Sequence, residues 1–509
     1  MNQDPVSRSR RRFLGALGSA VAISALAPIS LRAGAAGDGD ISASLTLATS
    51  AKGRPIARQL VGLSFETWQL HDPAFFSSSN EALIGLLRRL NPDGVLRIGG
   101  NTSNYAVWSE YRDRLPMTGQ SPLAAYMVTP DQLAQLGGFL KATGWRLIFG
   151  LNLSRGSPAM AAELAAAVQR AAGDQLLAIQ IGNEPNAYRR PDGRAFSFDD
   201  YMALWWESAR TIRQRVAVPI AGPDTSAGSD WVLKFADQAE GIAALSRHFY
   251  RGGASEPTST IDSLLSNAPG FIADVANVVR VADAKRLPFL LTEVNSYWGG
   301  GKPGVSDSFA SALWGGDFVL ACAQAGVHGV NVHCGTMPAL GTSLEESMPA
   351  KPRGGDLMKA WMDTISWHYT PIAGDLGHGW YTRPLYYGLL FAQQFGGARF
   401  VESRLAASGL NLTAYAADKG DRRLVALFNK DLNHGAVVRL EPGTRASRLR
   451  LWRLEAASIT EVHDVRLAGN EVDGSGNWSP RYEETVPVDD GHAWVKLPRG
   501  SAALAFVET

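Results

Sequence analysis

At 509 residues, with 45% hydrophobic and 19% charged residues, the chain is long enough for two or three domains with large cores. Its 49 Lys and Arg against 48 Asp and Glu leave a net charge of +1, so no global field draws it to nucleic acid or a long polyanion. Two cysteines, Cys322 and Cys334, rule out a disulfide framework, and no Cys/His spacing suggests zinc; two free buried thiols are expected.

At the N-terminus, Ser9-Arg10-Arg11-Arg12-Phe13-Leu14 precedes a weakly apolar stretch from Gly15 to Leu31 and then Ala33-Gly34-Ala35. A charged region, an apolar region and a small-residue cleavage site in that order resemble a twin-arginine export signal over residues 1–35. The expectation is an exported protein, periplasmic or secreted. Its mature form has no membrane partner, because no other stretch has the length and apolarity of a span. Residues 41–57, alternating in part, are predicted to form a strand that crosses over to a C-terminal domain, since alone it could not satisfy its backbone.

Eight short apolar runs follow, near Leu60–Phe65, Gly94–Ile98, Arg146–Leu151, Leu176–Ile181, Pro219–Gly222, Ala244–Phe249, Phe289–Thr292 and Gly329–His333. Helical periodicity fills most of the gaps, as in Pro130–Thr143, Phe198–Arg215 and Ser308–Ala325. Strand and helix alternating eight times predict an α/β chain folded as a (β/α)8 TIM barrel over residues 58–384. An open doubly wound sheet is the rival, but Gly299-Gly300-Gly301 does not open a helix as a nucleotide-binding loop would. From residue 385 to 509 the pattern becomes short alternating runs such as Arg423-Leu-Val-Ala-Leu-Phe428 and Ala493-Trp-Val-Lys-Leu497, separated by turn residues. These predict an antiparallel β-sandwich.

Two of the strand ends carry a glutamate: Glu184 in Ile181-Gly-Asn-Glu-Pro-Asn186 and Glu293 in Leu290-Leu-Thr-Glu-Val-Asn295. In one barrel their carboxyls would face each other across its mouth. That is the equipment of glycoside hydrolysis, with one carboxylic acid to protonate the leaving oxygen and one carboxylate to attack the anomeric carbon. A helix cap and a surface charge are the plain alternatives, and a single glutamate would leave them ahead. Pro185 is expected to hold Glu184 extended and to stop a helix from starting there. His248, Tyr250 and Tyr297 are placed by position to donate hydrogen bonds to an ionised Glu293. The 14 tryptophans could stack on sugar rings or fill ordinary cores.

Five segments together carry a family resemblance. They are Gly62-Leu-Ser-Phe-Glu66, Leu96-Arg-Ile-Gly-Gly-Asn101, Ile181-Gly-Asn-Glu-Pro-Asn186, His248-Phe-Tyr250 and Glu293-Val-Asn-Ser-Tyr-Trp-Gly-Gly-Gly301. The combination resembles family 79 of the glycoside hydrolases, which contains heparanase and bacterial exo-β-glucuronidases. The glutamate motifs alone are shared with a much larger superfamily of retaining glycosidases. The resemblance implies that Glu184 is the acid/base and Glu293 the nucleophile. It further implies that Asn183 contacts the sugar 2-hydroxyl and that Glu66 and Asn104 line the sugar site. Tyr297, Gly299 and Gly300, with Tyr369, would hold a glucuronate carboxylate.

The expected activity is that of a retaining exo-β-glucuronidase acting on a carbohydrate partner with no cofactor and no metal. An endo-acting, heparanase-like enzyme would call for a basic cleft. The loop after the third strand offers only Arg155 and Arg170, and Arg189-Arg190-Pro-Asp-Gly-Arg194 is the one basic cluster. Another retaining exo-glycosidase on the same scaffold, such as an arabinofuranosidase or xylosidase, is a second alternative. A non-catalytic sugar-binding barrel would be expected to have lost one of the two glutamates.

Overall fold

Every residue of Val61–Glu66 (β1) and Val95–Gly99 (β2) is buried, as a strand sandwiched between barrel interior and helices must be. In the computed structural model, which describes residues 39–72, 74–110, 127–190, 193–335, 367–375 and 379–508, they begin a ring of eight strands. The others are Arg146–Leu151 (β3), Leu176–Ile181 (β4), Ile220–Thr225 (β5), Ala244–Gly253 (β6), Phe289–Trp298 (β7) and Gly329–Cys334 (β8). They close in sequence order, and each neighbouring pair is parallel. The barrel is a (β/α)8 barrel with an added sheet domain. The proposed leader lies outside the described residues. Among those that are described, no helix is long and apolar enough to cross a membrane.

Local chemistry sets the helix ends. Pro130–Thr143 begins at a capping box between Thr129 and Gln132, has proline in its first turn, and stops at Gly144 in a left-handed conformation. Phe198–Arg215 starts on a second capping box, Ser197 with Asp200. A helix not identified from the sequence, Asp230–Gln238, links β5 to β6; it is only nine residues long. Cys322 and Cys334 are free and buried.

The boundary expected at residue 385 falls within the helix Pro384–Gln393, every residue of which is buried. Gly388 of that helix sits against Phe309–Ala325 so closely that an added Cβ would meet the Ala312 carbonyl oxygen at 2.0 Å. After the barrel, the first sandwich strand is Arg399–Val401. One sheet of the sandwich has the order Ser403–Ala406, Asp40–Leu47, Gly435–Glu441, Ala493–Leu497, so the N-terminal strand lies inside it, parallel to Gly435–Glu441. The larger sheet has Arg422–Asn429 and Ser501–Glu508 at its centre. Val425 and Leu427 face the sandwich core, while Leu424, Ala426 and Phe428 join the core of the barrel.

Charge crosses this junction. Lys430, 2% exposed, reaches from the sandwich to Asp317 on a barrel helix at 2.6 Å and to Asn267 at 2.5 Å. Asp317 also accepts hydrogen bonds from the hydroxyls of Thr413 (2.5 Å) and Tyr415 (2.7 Å). Removing one member leaves the other charge buried without its partner. Asp317→Ala is therefore expected to destabilise the protein by about 3–5 kcal/mol in denaturant unfolding. The pair Asp317→Leu/Lys430→Met should recover most of that loss, and a double variant as unstable as the single one would refute the argument.

Candidate active site

At the C-terminal mouth of the barrel, polar residues that interrupt the apolar strands converge on one guanidinium. Arg97 on β2 is fully buried. Its Nη1 donates to Glu293 Oε2 (2.7 Å) and Ser64 Oγ (3.3 Å). Its Nη2 donates to Asn183 Oδ1 and Asp224 Oδ2, both at 2.7 Å, and its Nε to Gln180 Oε1 (3.2 Å). Five side chains from four strands or strand ends are thus oriented by one planar donor set.

Glu293 sits within β7, where the strand shifts register against β6 between Leu291 and Glu293. Its Oε1 accepts from the Tyr250 hydroxyl at 2.8 Å, and His333 Nδ1 lies 3.9 Å from its Oε2. Burial alone would raise its pKa, but the charges of His333, His248 and Arg97 and the Tyr250 hydrogen bond outweigh that and hold it at about 2. Burial and the adjacent Glu293 charge push the Tyr250 phenol up. Glu293 is therefore an ionised carboxylate over the whole neutral range.

Glu184 is more open, its side chain 20% exposed against 7% for Glu293. Its Oε1 pairs with His248 Nδ1 at 2.9 Å, and the second nitrogen of His248 lies 3.1 Å from Asp224 Oδ2. One carboxylate oxygen of Glu184, one of Glu293 and one His248 nitrogen all lie within 4.8 Å of one another. By spacing, such a group could hold a cation. Here the Arg97 guanidinium and the imidazole, with a carboxylate on each nitrogen, supply the positive charge.

The extended backbone expected at Glu184 is not what forms. Glu184 adopts φ 50°, ψ 50°, and Pro185 opens a single 3-10 turn, Pro185–Ala187. A proline disfavours the right-handed helical region for the residue before it; it does not by itself choose what replaces it. The left-handed conformation is fixed by the Glu184 amide, which donates to the Asp224 carbonyl oxygen at 2.9 Å.

The remaining expected residues divide into two groups. Asn183 holds Arg97 with its carbonyl oxygen and reaches Asn101 Oδ1 at 3.3 Å with its amide. Asn104 donates to the Asn183 backbone carbonyl (3.2 Å) and accepts from the Tyr188 hydroxyl (2.5 Å), bracing the loop that carries Glu184. Glu66 is 2% exposed and accepts from the Asn101 amide and from both the amide and hydroxyl of Thr102, with His333 Nε2 at 3.6 Å. Tyr369 lies at the mouth, its ring 6.3 Å from both Tyr250 and His333, and 5.3 Å from Trp367. Asn295 secures that segment by donating to the carbonyls of Tyr369 and His333. Gly299, Gly300 and Gly301 all have φ between 84° and 87°, and an added Cβ on Gly301 would meet the Tyr369 amide at 2.7 Å. The glycines let this loop lie directly on the Trp367–Tyr369 segment.

Tyr297 is a correction. Its ring is 1% exposed within the apolar layer, and its hydroxyl donates to the Thr260 carbonyl oxygen at 3.0 Å. Opposite it on β6 stands Gly252. It therefore stands apart from Tyr250 and Tyr369. The exposed aromatic at the end of β7 is its neighbour Trp298, at 53%. Asp224, Gln180, Ser64, His333 and Trp367 were not found from the sequence. For Asp224, Gln180, Ser64 and His333 the available signal was a polar side chain inside an otherwise apolar barrel strand; Trp367 lies outside the barrel strands.

No protein-family model matches the chain. It is 28% identical over 328 residues to a β-glucuronidase of Aspergillus niger, an alignment covering 55% of this chain and 59% of that protein. A β-glucuronidase of Neurospora crassa is 25% identical over 307 residues, covering 52% and 54%. The chain thus spans little more than half the length of the curated relatives it matches. Among solved structures, a 4-O-α-L-rhamnosyl-β-D-glucuronidase from Fusarium oxysporum aligns over 90% of this chain and 99% of its own, with a TM-score of 0.70 at 20% identity. A GH51 arabinofuranosidase from Xanthomonas axonopodis pv. citri aligns over 92% and 100%, with a TM-score of 0.60 at 14% identity. The structural likenesses establish the fold, and the sequence relatives support a glycoside hydrolase.

Proposed function

We propose that this protein is a retaining exo-β-glucuronidase that removes terminal β-linked glucuronic acid by double displacement. The observation that carries the reading is the unlike environment of two carboxyls whose oxygens approach within 4.8 Å. Glu293, held ionised by Arg97 and Tyr250, attacks the anomeric carbon. Glu184, the more open of the two, protonates the glycosidic oxygen as the C–O bond breaks. The glycosyl-enzyme ester then yields to a water molecule whose proton passes to Glu184. Retaining enzymes place their carboxyls ~5–5.5 Å apart, too close for a water to enter between them.

The substrate class follows from the relatives' names and from a mouth that offers aromatic and backbone groups. Tyr369, with the backbone of Gly299 and Gly300, is assigned to the C6 carboxylate; Tyr297 leaves that role. Exo action is favoured because the basic cluster is not laid out as a polyanion cleft: Arg190 is paired with Asp200, and Arg155 lies over the Tyr105 ring. The N-terminal leader, read as an export signal, would place the enzyme outside the inner membrane.

Three outcomes test this reading. On a panel of nitrophenyl glycosides the β-glucuronide should be the preferred substrate, and proton NMR should show the β-anomer as the first-formed sugar. Preference for a xyloside or arabinofuranoside, or a first-formed α-anomer, would sink it. Glu293→Ala should lose turnover on every leaving group. Glu184→Ala should keep activity on acidic aryl leaving groups and be rescued by azide with formation of a β-glycosyl azide. Equal, azide-insensitive losses would contradict the assigned roles. A hydrogen bond to a charged group is worth ~1.5–3 kcal/mol, so Tyr369→Phe should lower kcat/KM on the glucuronide by about ten- to a hundredfold. The same variant should change little on a glucoside or xyloside, while Tyr297→Phe should show no such selectivity.

A further inference from the structure

Asp224 ends the run Gly222-Pro223-Asp224 on β5 and is 1% exposed. It is too deep to touch a substrate, yet it is bound on every side. Oδ1 accepts from Gln180 Nε2 at 2.5 Å and from the Thr292 hydroxyl; Oδ2 accepts from Arg97 Nη2 at 2.7 Å and faces His248 Nε2 at 3.1 Å. Its own backbone is left-handed, φ 61°, like that of Glu184, and its carbonyl receives the Glu184 amide. Two non-glycine residues in this rare conformation are therefore joined by one hydrogen bond. A second tie closes the same two loops: Asn186 exchanges hydrogen bonds with the side chain and amide of Ser226 at 2.9 and 3.0 Å.

We propose that Asp224 is a positioning residue that acts on Glu184 in two ways. Its carboxylate keeps both nitrogens of His248 protonated, so that Nδ1–H is donated to Glu184 Oε1, and its carbonyl oxygen holds the Glu184 backbone. The inference rests on the reading of Glu184 as the acid/base. With Oε1 engaged by His248, the catalytic proton resides on Oε2. It passes to the glycosidic oxygen as the C–O bond breaks, the bonding pair stays with the leaving oxygen, and the new carboxylate charge meets an imidazolium already in place. His248 itself gives up no proton in the cycle.

The groups on and around His248 come from six strands or their ends. Asp224, Glu184 and Glu293 (3.8 Å from Nδ1) favour its charge, and Arg97, 3.4 Å from Nε2, opposes it; Tyr250 and His333 lie one step away on Glu293. Burial lowers the pKa of His248, but the Asp224 and Glu293 charges raise it further, to about 10. Its charge is thus retained through and above the ordinary histidine range and is lost only as the pH rises through about 10.

The test combines 15N NMR of the histidine rings, with His248 assigned by its loss in His248→Gln, and kinetics on aryl glucuronides. Wild-type His248 should remain an imidazolium at pH 8 and become neutral there in Asp224→Asn, which keeps the shape but not the charge. In Asp224→Asn, kcat/KM should fall by about a hundredfold for a poor phenol leaving group and by less than about threefold for dinitrophenol, the pattern of impaired general-acid catalysis. If Asp224→Asn does not fold, His248→Gln should show the same leaving-group selectivity, and the wild-type titration still applies. A His248 neutral at pH 8 in the wild type, or equal losses across leaving groups in an active variant, overturns the proposal alone. A wild type inactive on every glycoside overturns the glycosidase reading and this proposal with it.

Discussion

A guanidinium removed from water sacrifices several kcal/mol of solvation, and only close, well-directed acceptors offset that cost. Arg97 has such acceptors on all three of its nitrogens, and they come from β1, the end of β4, β5 and β7. Most of the geometry of the mouth follows. Glu293 is fixed in direction by Nη1, and Asn183 is fixed immediately before Glu184. Asp224 is drawn inward, where it meets His248. The charge count has the same origin. Three carboxylates, Glu184, Asp224 and Glu293, surround two cations, Arg97 and His248, so the cluster is neutral when one carboxyl carries a proton. The most exposed of the three is Glu184.

The barrel was legible because a strand covered on both faces leaves a mark: a short run of apolar residues with no alternation. All eight runs, from Leu60–Phe65 to Gly329–His333, lie on observed strands. The two glutamates were legible as a pair, each close to the end of such a run, where a single one would have read as a cap or a surface charge. Asp224 carries the same signal in Ile220-Ala-Gly-Pro-Asp-Thr225, but the predicted run ends at Gly222, two residues before it. Gln180, Ser64 and His333 left a fainter mark, each a polar residue with an apolar neighbour on either side in its strand. What unites them is contact in three dimensions, across strands separated in sequence, and no local pattern encodes that.

The error at Tyr297 shows a limit of a different kind. Tyr297 lies four residues after Glu293 on the same strand, where simple alternation would give the two side chains one face, yet its ring packs into the apolar layer. Tyr297 went to the packed side, where the Thr260 carbonyl satisfies its hydroxyl, and Trp298 took the open side. Glu184 shows the converse: proline narrowed the choice of backbone conformation, but a hydrogen bond to another strand end made it.

The N-terminal strand Asp40–Leu47 lies between Ser403–Ala406 and Gly435–Glu441, with Leu45 and Leu47 in the sandwich core. On a ribosome these partners are made in the reverse of the order in which they are needed. The strand emerges first and has nothing to pair with until the whole barrel has followed it. Domains fold as units during synthesis, so the barrel can close while the sheet that braces it is still missing a side. Leu45 and Leu47 then remain uncovered for most of translation, and the molecule acquires its final core only when its last strands arrive.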